Sequence, residues 1–481
     1  MRPILPLMAL VALLPSCGGG GSPSNPETTT PAPAPRPNIV FVLADDLDLD
    51  NMAYMPRLKA LLADRGTTFA NAFVTTPLCS PSRASILTGQ YAHNHGLLSN
   101  QLPLGGFERW AASGKEQTTI ATALRAAGYR TIMIGKYMNA YQPGSPPYVA
   151  PGWDDWHAMF SPRSQDPYFD YSFNDNGTIN NYGSRPEDYA TDVMATKAVE
   201  ALQLAEATDT QPFFLYLAVG APHTPAIPAP KYEDQFTDLR APQTPSFGEP
   251  DASDKPVYVQ LFPLFSDRDV RRIDLLYRDR VATLQSVDEL LQRVMQQLEV
   301  SGELNNTLVV FTSDNGFFLG PHRFNRGKGA PYEEALRVPL VMRGPGVAAG
   351  AVRSELVTNL DFAPTLAALG GATLQVEAEG RSLASLMQGG AAGEWRHDFL
   401  AEFWQNAEEG EETSAGIPTW QALRNETMMY AVYETGEGEL YDLRADRYEL
   451  QSQYSVTSSA TLAPLEQRLA ALKACRGASC R

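Results

Sequence analysis

The residues equipped for chemistry in this 481-residue chain stand at a few points separated by long apolar stretches. Asp45-Asp46 follows the run Asn38–Ala44, and Asp314-Asn315 follows the run that begins at Leu308. Three carboxylates and an amide brought to one spot repel one another unless a hard cation sits among them. All-oxygen ligation suits calcium or magnesium rather than zinc. One such pair is ordinarily a helix cap or a turn; two, each closing an apolar run, point to a metal. Cys79 is the second anomaly. Of four cysteines, Cys17 closes an N-terminal apolar segment, and Cys475 and Cys480 are spaced closely enough for a small disulfide in an oxidising compartment. Cys79 is left over, within Cys79-Ser80-Pro81-Ser82-Arg83, where Arg83 lies one helical turn beyond it.

These groups need elements to position them. Asn38–Ala44 is an uninterrupted apolar run, as expected of a strand buried on both faces, and Thr131–Ile134, Phe213–Val219 and Leu308–Thr312 read the same way. Between them lie helical patterns at Met55–Arg65 and Thr118–Gly128 and a long amphipathic one over Arg271–Glu299. Alternation of this kind predicts an α/β fold, a large mostly parallel sheet flanked by helices. In such sheets ligands sit outside the carboxyl ends of the strands, where the acidic pairs fall. Gln142–Asp188, rich in Gly, Pro, Asn and Tyr, reads as a long packed surface insertion. Beyond about Ala391 the pattern changes to short runs, Met428–Tyr433 and Glu439–Leu443, then a final helix over Leu462–Lys473. That predicts a smaller antiparallel sheet plus helix. The expected division is 1–17 signal segment, 18–36 flexible linker, 37–390 catalytic domain and 391–481 C-terminal subdomain.

Cys79-x-Pro81-Ser82-Arg83 followed by Ala84-Ser85-Ile86-Leu87-Thr88-Gly89 resembles the signature of type I sulfatases of the alkaline-phosphatase-like superfamily. Further blocks extend the resemblance over nearly the whole chain from Pro37. They include Gly135-Lys136-Tyr137-Met138-Asn139, Ala221-Pro222-His223-Thr224-Pro225, Thr312-Ser313-Asp314-Asn315-Gly316, Gly327-Lys328-Gly329 and Tyr332–Leu340. The Gly135–Asn139 form and Ser253-Asp254-Lys255-Pro256 most resemble the N-acetylglucosamine-6-sulfatase branch, whose substrates are sulfated glycans.

The resemblance implies a reaction. A sulfate monoester carries negative charge and is a poor electrophile, so catalysis needs charge neutralisation and a positioned nucleophile. By resemblance, Cys79 is oxidised to Cα-formylglycine by a formylglycine-generating enzyme, and the hydrated aldehyde attacks sulfur. Calcium would be held by Asp45, Asp46, Asp314 and Asn315, with position 79 as a further ligand. Arg83 would hold the hydrate, Lys136 and Lys328 would neutralise the sulfate oxygens, and His223 would protonate the leaving alkoxide. His322 and His95 are expected as substrate contacts, with His93 another candidate for the pocket wall. His157 and His397 are expected to be structural. One departure stands out: many sulfatases carry a histidine base soon after the Gly-Lys block, and here Met138 and Asn139 occupy that stretch.

Met1-Arg2 and the apolar stretch Ile4–Pro15 have the form of an export signal too short to span a bilayer. Leu14-Pro15-Ser16-Cys17 resembles a bacterial lipobox, which implies a lipid on Cys17 and membrane anchoring of an exported lipoprotein. The Gly/Ser/Pro/Thr-rich stretch after Cys17 reads as its tether. A net charge of −17 argues against nucleic acid or an anionic membrane surface as partners. It also disfavours long contact with a polyanion, so an exo-acting enzyme with a local positive pocket is expected. Two other readings share some of these features. A phosphonate or phosphodiester hydrolase would favour manganese or zinc with extra histidines, and this chain has six histidines in all. A non-catalytic glycan-binding relative would be expected to lack Cys79, Arg83 or Lys328, and all are present.

Overall fold

The apolar runs form the middle of one large sheet. The computed structural model describes residues 36–161, 167–208, 211–390, 393–408 and 416–481. The expected signal segment and lipobox at 1–17, and the tether up to residue 35, lie outside the described residues, as does the point 391–392 where the domain division was expected.

In chain order the strands are β1 (Asn38–Ala44), β2 (Thr67–Phe69), β3 (Ala72–Phe73), β4 (Arg130–Gly135), β5 (Asp155–Phe160) and β6 (Ser172–Asp175). They continue as β7 (Thr178–Asn181), β8 (Phe213–Ala218), β9 (Thr307–Ser313), β10 (Leu340–Arg343), β11 (Ala351–Arg353) and β12 (Val357–Thr358). Ten of these make one sheet in the order β11-β2-β10-β9-β1-β8-β4-β5-β6-β7, and β3 pairs with β12. The central neighbours β9, β1, β8, β4 and β5 run parallel. β1 is buried along its whole length. Its alternate residues enter opposite layers: Ile39, Phe41 and Leu43 pack with Ala84 and Ile86, and Val40 and Val42 pack with Leu284 and Leu291. That two-sided burial is why the run carries no polar alternation. The first layer holds the Cys79–Thr88, Ile120–Ala126 and Phe362–Gly370 helices; the second holds Ala190–Thr208 and Asp267–Val300.

The long helix starts at Asp267 rather than Arg271, because Ser266 and Asp269 close a capping box that satisfies its first N–H groups. The 142–188 stretch is not only surface insertion. Its β5, β6 and β7 extend the main sheet by three strands, β5 parallel to β4 and the other two antiparallel. Near the C-terminus β13 (Asp398–Phe403), β14 (Trp420–Asn425), β15 (Met428–Tyr433) and β16 (Gly438–Asp442) form an antiparallel sheet. The helix Ser459–Lys473 follows, and Cys475 is bonded to Cys480. This sheet packs on β3 and the segments flanking the strand ends, since Phe399, Trp420 and Met429 share a buried cluster with Phe73, Leu78 and Tyr332.

Candidate active site

Parallel register brings the chemistry together. Ala44 lies opposite Ser313, so Asp45-Asp46 and Asp314-Asn315 leave adjacent strands side by side. Gly135 lies opposite Ala218, which puts Lys136 and the turn carrying His223 on the same edge. Gly135 has φ +105°, and a Cβ there would come within 2.0 Å of the Ala218 carbonyl oxygen. Only glycine lets β4 pass that close and deliver Lys136. Asp46 itself adopts φ 66°, a left-handed turn that an aspartate tolerates better than most residues.

Cys79 opens a helix in which every residue is buried. Its Sγ lies 3.5 Å from Asp45 Oδ1 and 4.0 Å from Asp46 Oδ1 and accepts a hydrogen bond from Lys328 Nζ at 2.9 Å. Lys328 Nζ also donates to Asp46 Oδ1 at 2.5 Å, and Lys136 Nζ donates to Asp45 Oδ2 at 2.6 Å. Arg83 donates through Nε to Asp314 Oδ2 at 2.9 Å and through Nη1 to the Lys136 carbonyl at 2.8 Å, and its Nη2 lies 3.6 Å from Asp45 Oδ2. The three carboxylates of Asp45, Asp46 and Asp314 are thus matched by the three cations of Arg83, Lys136 and Lys328.

Burial opposes ionisation of Asp45, yet Lys136, His223, Arg83 and Lys328 outweigh it and hold its carboxyl far below the usual range. Asp314 goes the other way, to about 6, through burial and the neighbouring Asp45 charge. Burial raises the unmodified Cys79 thiol well above its ordinary value despite both lysines. Lys136 stays charged because Asp45 overcomes its desolvation.

The donor set fits a hard divalent ion. Asp45, Asp46, Cys79 and Asp314 offer ligand atoms within 4.8 Å of one another. Asn315 Nδ2 donates to Asp46 Oδ1 at 2.7 Å, while its buried Oδ1 has no hydrogen-bond partner. A buried amide oxygen without a donor, among carboxylates, is a ligand in waiting for a cation.

His223 Nδ1 lies 2.6 Å from the Thr224 carbonyl, an acceptor only, so Nδ1 carries a proton and Nε2 faces Asp46 Oδ2 at 3.8 Å. Arg280 was missed from the sequence. It sits on the apolar side of the long helix and donates to the Pro222 carbonyl at 3.0 Å, the Asp46 carbonyl at 2.5 Å and Asp48 Oδ2 at 3.0 Å. One side chain therefore ties the Asp46 turn to the His223 loop. A signal was there: an arginine flanked by buried Tyr277, Val281 and Leu284 in the helical pattern. Asn139, in the stretch where a histidine base was absent, accepts from Ser80 Oγ at 3.0 Å and donates its backbone N–H back to that oxygen at 2.9 Å. It braces the start of the Cys79 helix.

Two residues expected as substrate contacts, His95 and His322, are placed inside the fold. His95 is buried behind the Cys79 helix, with Nδ1 accepting from Leu97 N at 3.1 Å and Nε2 on Ser85 Oγ at 3.1 Å. Both ring nitrogens are engaged inside the fold. His322 is fully buried, stacked on Tyr332 at 4.0 Å with Nδ1 on Glu249 Oε2 at 2.9 Å. His93 pairs with Glu402 at 2.8 Å and reaches the Cys475 carbonyl, and so ties the Cys79 helix region to the C-terminal sheet. His157 pairs with Asp175 between β5 and β6.

The family model described as sulfatase matches residues 37–372. The chain belongs to the sulfatase family. A second model, N-sulphoglucosamine sulphohydrolase C-terminal, matches residues 320–475 of this sulfatase. The chain is 38% identical over 354 residues to an extracellular sulfatase Sulf-1 homologue of Caenorhabditis elegans, covering 73% of this chain but 49% of that protein's length. It is 32% identical to the N-acetylglucosamine-6-sulfatase of Capra hircus, over 92% of this chain and 84% of that one. A solved structure in complex with its substrate D-glucosamine-2-N,6-O-disulfate superposes with a TM-score of 0.76 at 24% identity, covering 91% of this chain and 97% of that chain. The fold is that of a type I sulfatase of the alkaline-phosphatase-like superfamily, and the class of reaction is sulfuric ester hydrolysis.

Proposed function

We propose that this sulfatase removes 6-O-sulfate from terminal glucosamine-type sugars of sulfated glycans, with formylglycine at position 79 and calcium at the strand-end carboxylates. The observation that carries the reading is Cys79 Sγ at the start of a wholly buried helix, 2.9 Å from Lys328 Nζ and 3.5 Å from Asp45 Oδ1. The similarity to N-acetylglucosamine-6-sulfatases supports the sugar class.

Hydrated formylglycine would supply a hydroxyl nucleophile and a second hydroxyl that allows the residue to be regenerated, which serine or cysteine cannot do. Asp45, Asp46, Asp314 and Asn315 Oδ1 would hold calcium, whose chemistry there is to neutralise sulfate charge and acidify a ligating hydroxyl. The chain's own residues do the rest. Arg83, fixed by Asp314 and the Lys136 carbonyl, holds one side of position 79. Lys328 and Lys136 stand over Asp46 and Asp45, placed to take a sulfate oxygen each as it arrives. His223, with Nδ1–H locked on the Thr224 carbonyl, directs Nε2 to the Asp46 side, from which a leaving alkoxide takes its proton.

Sulfate release from a panel of sulfated monosaccharides and oligosaccharides tests the reading. Higher kcat/KM for terminal glucosamine-6-sulfate than for galactose-derived sulfates is expected; turnover of small aryl sulfates alone would refute the substrate class. We further propose the division 1–17, 18–36, 37–390 and 391–481, with maturation by a formylglycine-generating enzyme, export, and a lipid on Cys17. Clickable fatty acid should label wild type and not Cys17→Ala.

A further inference from the structure

Away from the strand-end site, the C-terminal sheet covers a second buried polar cluster. His322, Glu334 and Glu449 each offer a ligand atom within 4.8 Å of the others, and His322 Nε2, Glu334 Oε2 and Glu449 Oε1 have no hydrogen-bond partner. His322 and Glu449 are essentially inaccessible to solvent. Each of the three groups uses its other polar atom inside the fold. His322 Nδ1 meets Glu249 Oε2 at 2.9 Å, Glu334 Oε1 accepts from Ser246 Oγ at 3.4 Å, and Glu449 Oε2 accepts from Glu333 N at 3.1 Å.

The imidazole decides what the cluster wants. With the Glu249 carboxylate accepting from Nδ1–H, the lone pair of His322 is on Nε2, aimed at two carboxylate oxygens. With both carboxylates ionised, three acceptors face one another and need a cation or protons among them, and the 3.7 Å from Nε2 to Glu334 Oε2 is too long for a hydrogen bond. Countercharge is short as well. Lys255 pairs with Glu249 and Arg424 with Glu333, while among the described residues no lysine or arginine pairs with Glu334 or Glu449. Burial and then the charges of Glu333 and Glu334 push the Glu449 carboxyl well up. Burial keeps the His322 ring neutral, at about 4, the form that ligates.

We propose that His322, Glu334 and Glu449 form a second metal site, which takes a divalent transition ion of the zinc class. One imidazole nitrogen and two carboxylate oxygens suit such an ion, whereas calcium prefers oxygen alone. Glu249 is the carboxylate that orients a ligating histidine through its other nitrogen. Glu334 keeps its side chain 26% exposed, which gives an ion a way in. The consequence reaches the active site. His322 and Glu334 lie six residues before and six after Lys328, so an ion joining them to Glu449 would clamp both ends of the segment that delivers Lys328. The role is positional and does not depend on the substrate read for the strand-end site.

Full-length protein stripped of metal and then held in excess calcium should be titrated with zinc against a chromophoric chelator. Wild type and Asp314→Asn are expected to bind one zinc per chain. Glu449→Gln and His322→Gln should weaken it at least about tenfold, and Glu249→Gln by about tenfold through the orienting contact. Zinc-edge X-ray absorption on the wild type needs no variant at the site and should show imidazole nitrogen with oxygen and no sulfur. Absence of zinc binding in excess calcium overturns the proposal. So does zinc held equally by Glu449→Gln, zinc lost in Asp314→Asn, or a sulfur-containing shell.

Discussion

Two buried polar clusters in this chain handle charge differently. At the strand ends, three carboxylates face Arg83, Lys136 and Lys328, so the cluster is neutral by itself. Around His322, Glu334 and Glu449 lack a lysine or arginine partner among the described residues, and neighbouring Glu439 is satisfied by the hydroxyls of Tyr332, Tyr433 and Tyr441. A neutral cluster can admit a divalent cation together with an anionic ester without a large net charge in low dielectric. A cluster with surplus carboxylate must take up a cation or protons before anything else. The first is built for a substrate that comes and goes; the second is built for a resident ion.

The largest effect should come from position 79, the proposed nucleophile of the neutral cluster. Cys79→Ala should lower kcat on the order of 10⁴-fold or more and leave the fold unchanged by circular dichroism. Residual turnover near wild type would refute position 79 as nucleophile. Breaking the charge balance comes next. Asp314→Ala leaves Arg83 buried without its hydrogen-bonded carboxylate partner, so stability should fall by about 3–5 kcal/mol in denaturant titrations. Calcium measured by elemental analysis should be lost with it.

The charge-neutral site was largely legible in the sequence, because its metal-type residues stand at the ends of apolar runs that had to be parallel strands, while Cys79, Arg83, Lys136 and Lys328 fall in the blocks that carry the family resemblance. Asp45, Asp46, Asp314 and Asn315 follow from the strand-end rule, once the strand order places β9 and β1 side by side. Arg280 did not, because a helix pattern records which face is buried but not what that face meets. His322 and Glu449 are 127 residues apart (449 − 322) and come from segments without strand or helix, so nothing local announces them. The 142–188 stretch was misread for a related reason. β6 and β7 are short, and β7 is exposed at the sheet edge, so its residues show no apolar run. Backbone pairing to β5 makes them strands.

Arg280 is the link that should show an intermediate effect. Arg280→Met keeps the apolar stem against Phe317 but releases the Asp46 and Pro222 carbonyls. A fall in kcat of about 10–100-fold with little change in KM is expected, the scale typical of groups that orient ligands from behind. A change confined to KM would mean that the residue shapes substrate access instead.

The smallest effect on catalysis should be at His95, and it separates a histidine of the fold from a histidine of the site. Burial, then Lys115 and His93, lowers its pKa to about 3, against an unfolded value near 6.5. The folded state therefore binds fewer protons than the unfolded state between those two values, so the stability contribution is complete above about pH 6.5. It is lost progressively as pH falls toward about 3, on the order of a few kcal/mol over that window. His95→Gln keeps an amide able to reach Ser85 Oγ but cannot titrate. Its unfolding free energy should fall at neutral pH by about 1–3 kcal/mol through the imperfect hydrogen bonds, and should decline less steeply than wild type as pH falls below 6.5. kcat/KM should stay within about threefold of wild type, because neither ring nitrogen faces the strand-end cluster. Urea unfolding at a series of pH values, with sulfate release measured at neutral pH, checks both halves. A large loss of kcat/KM with unchanged acid stability would return His95 to the reaction.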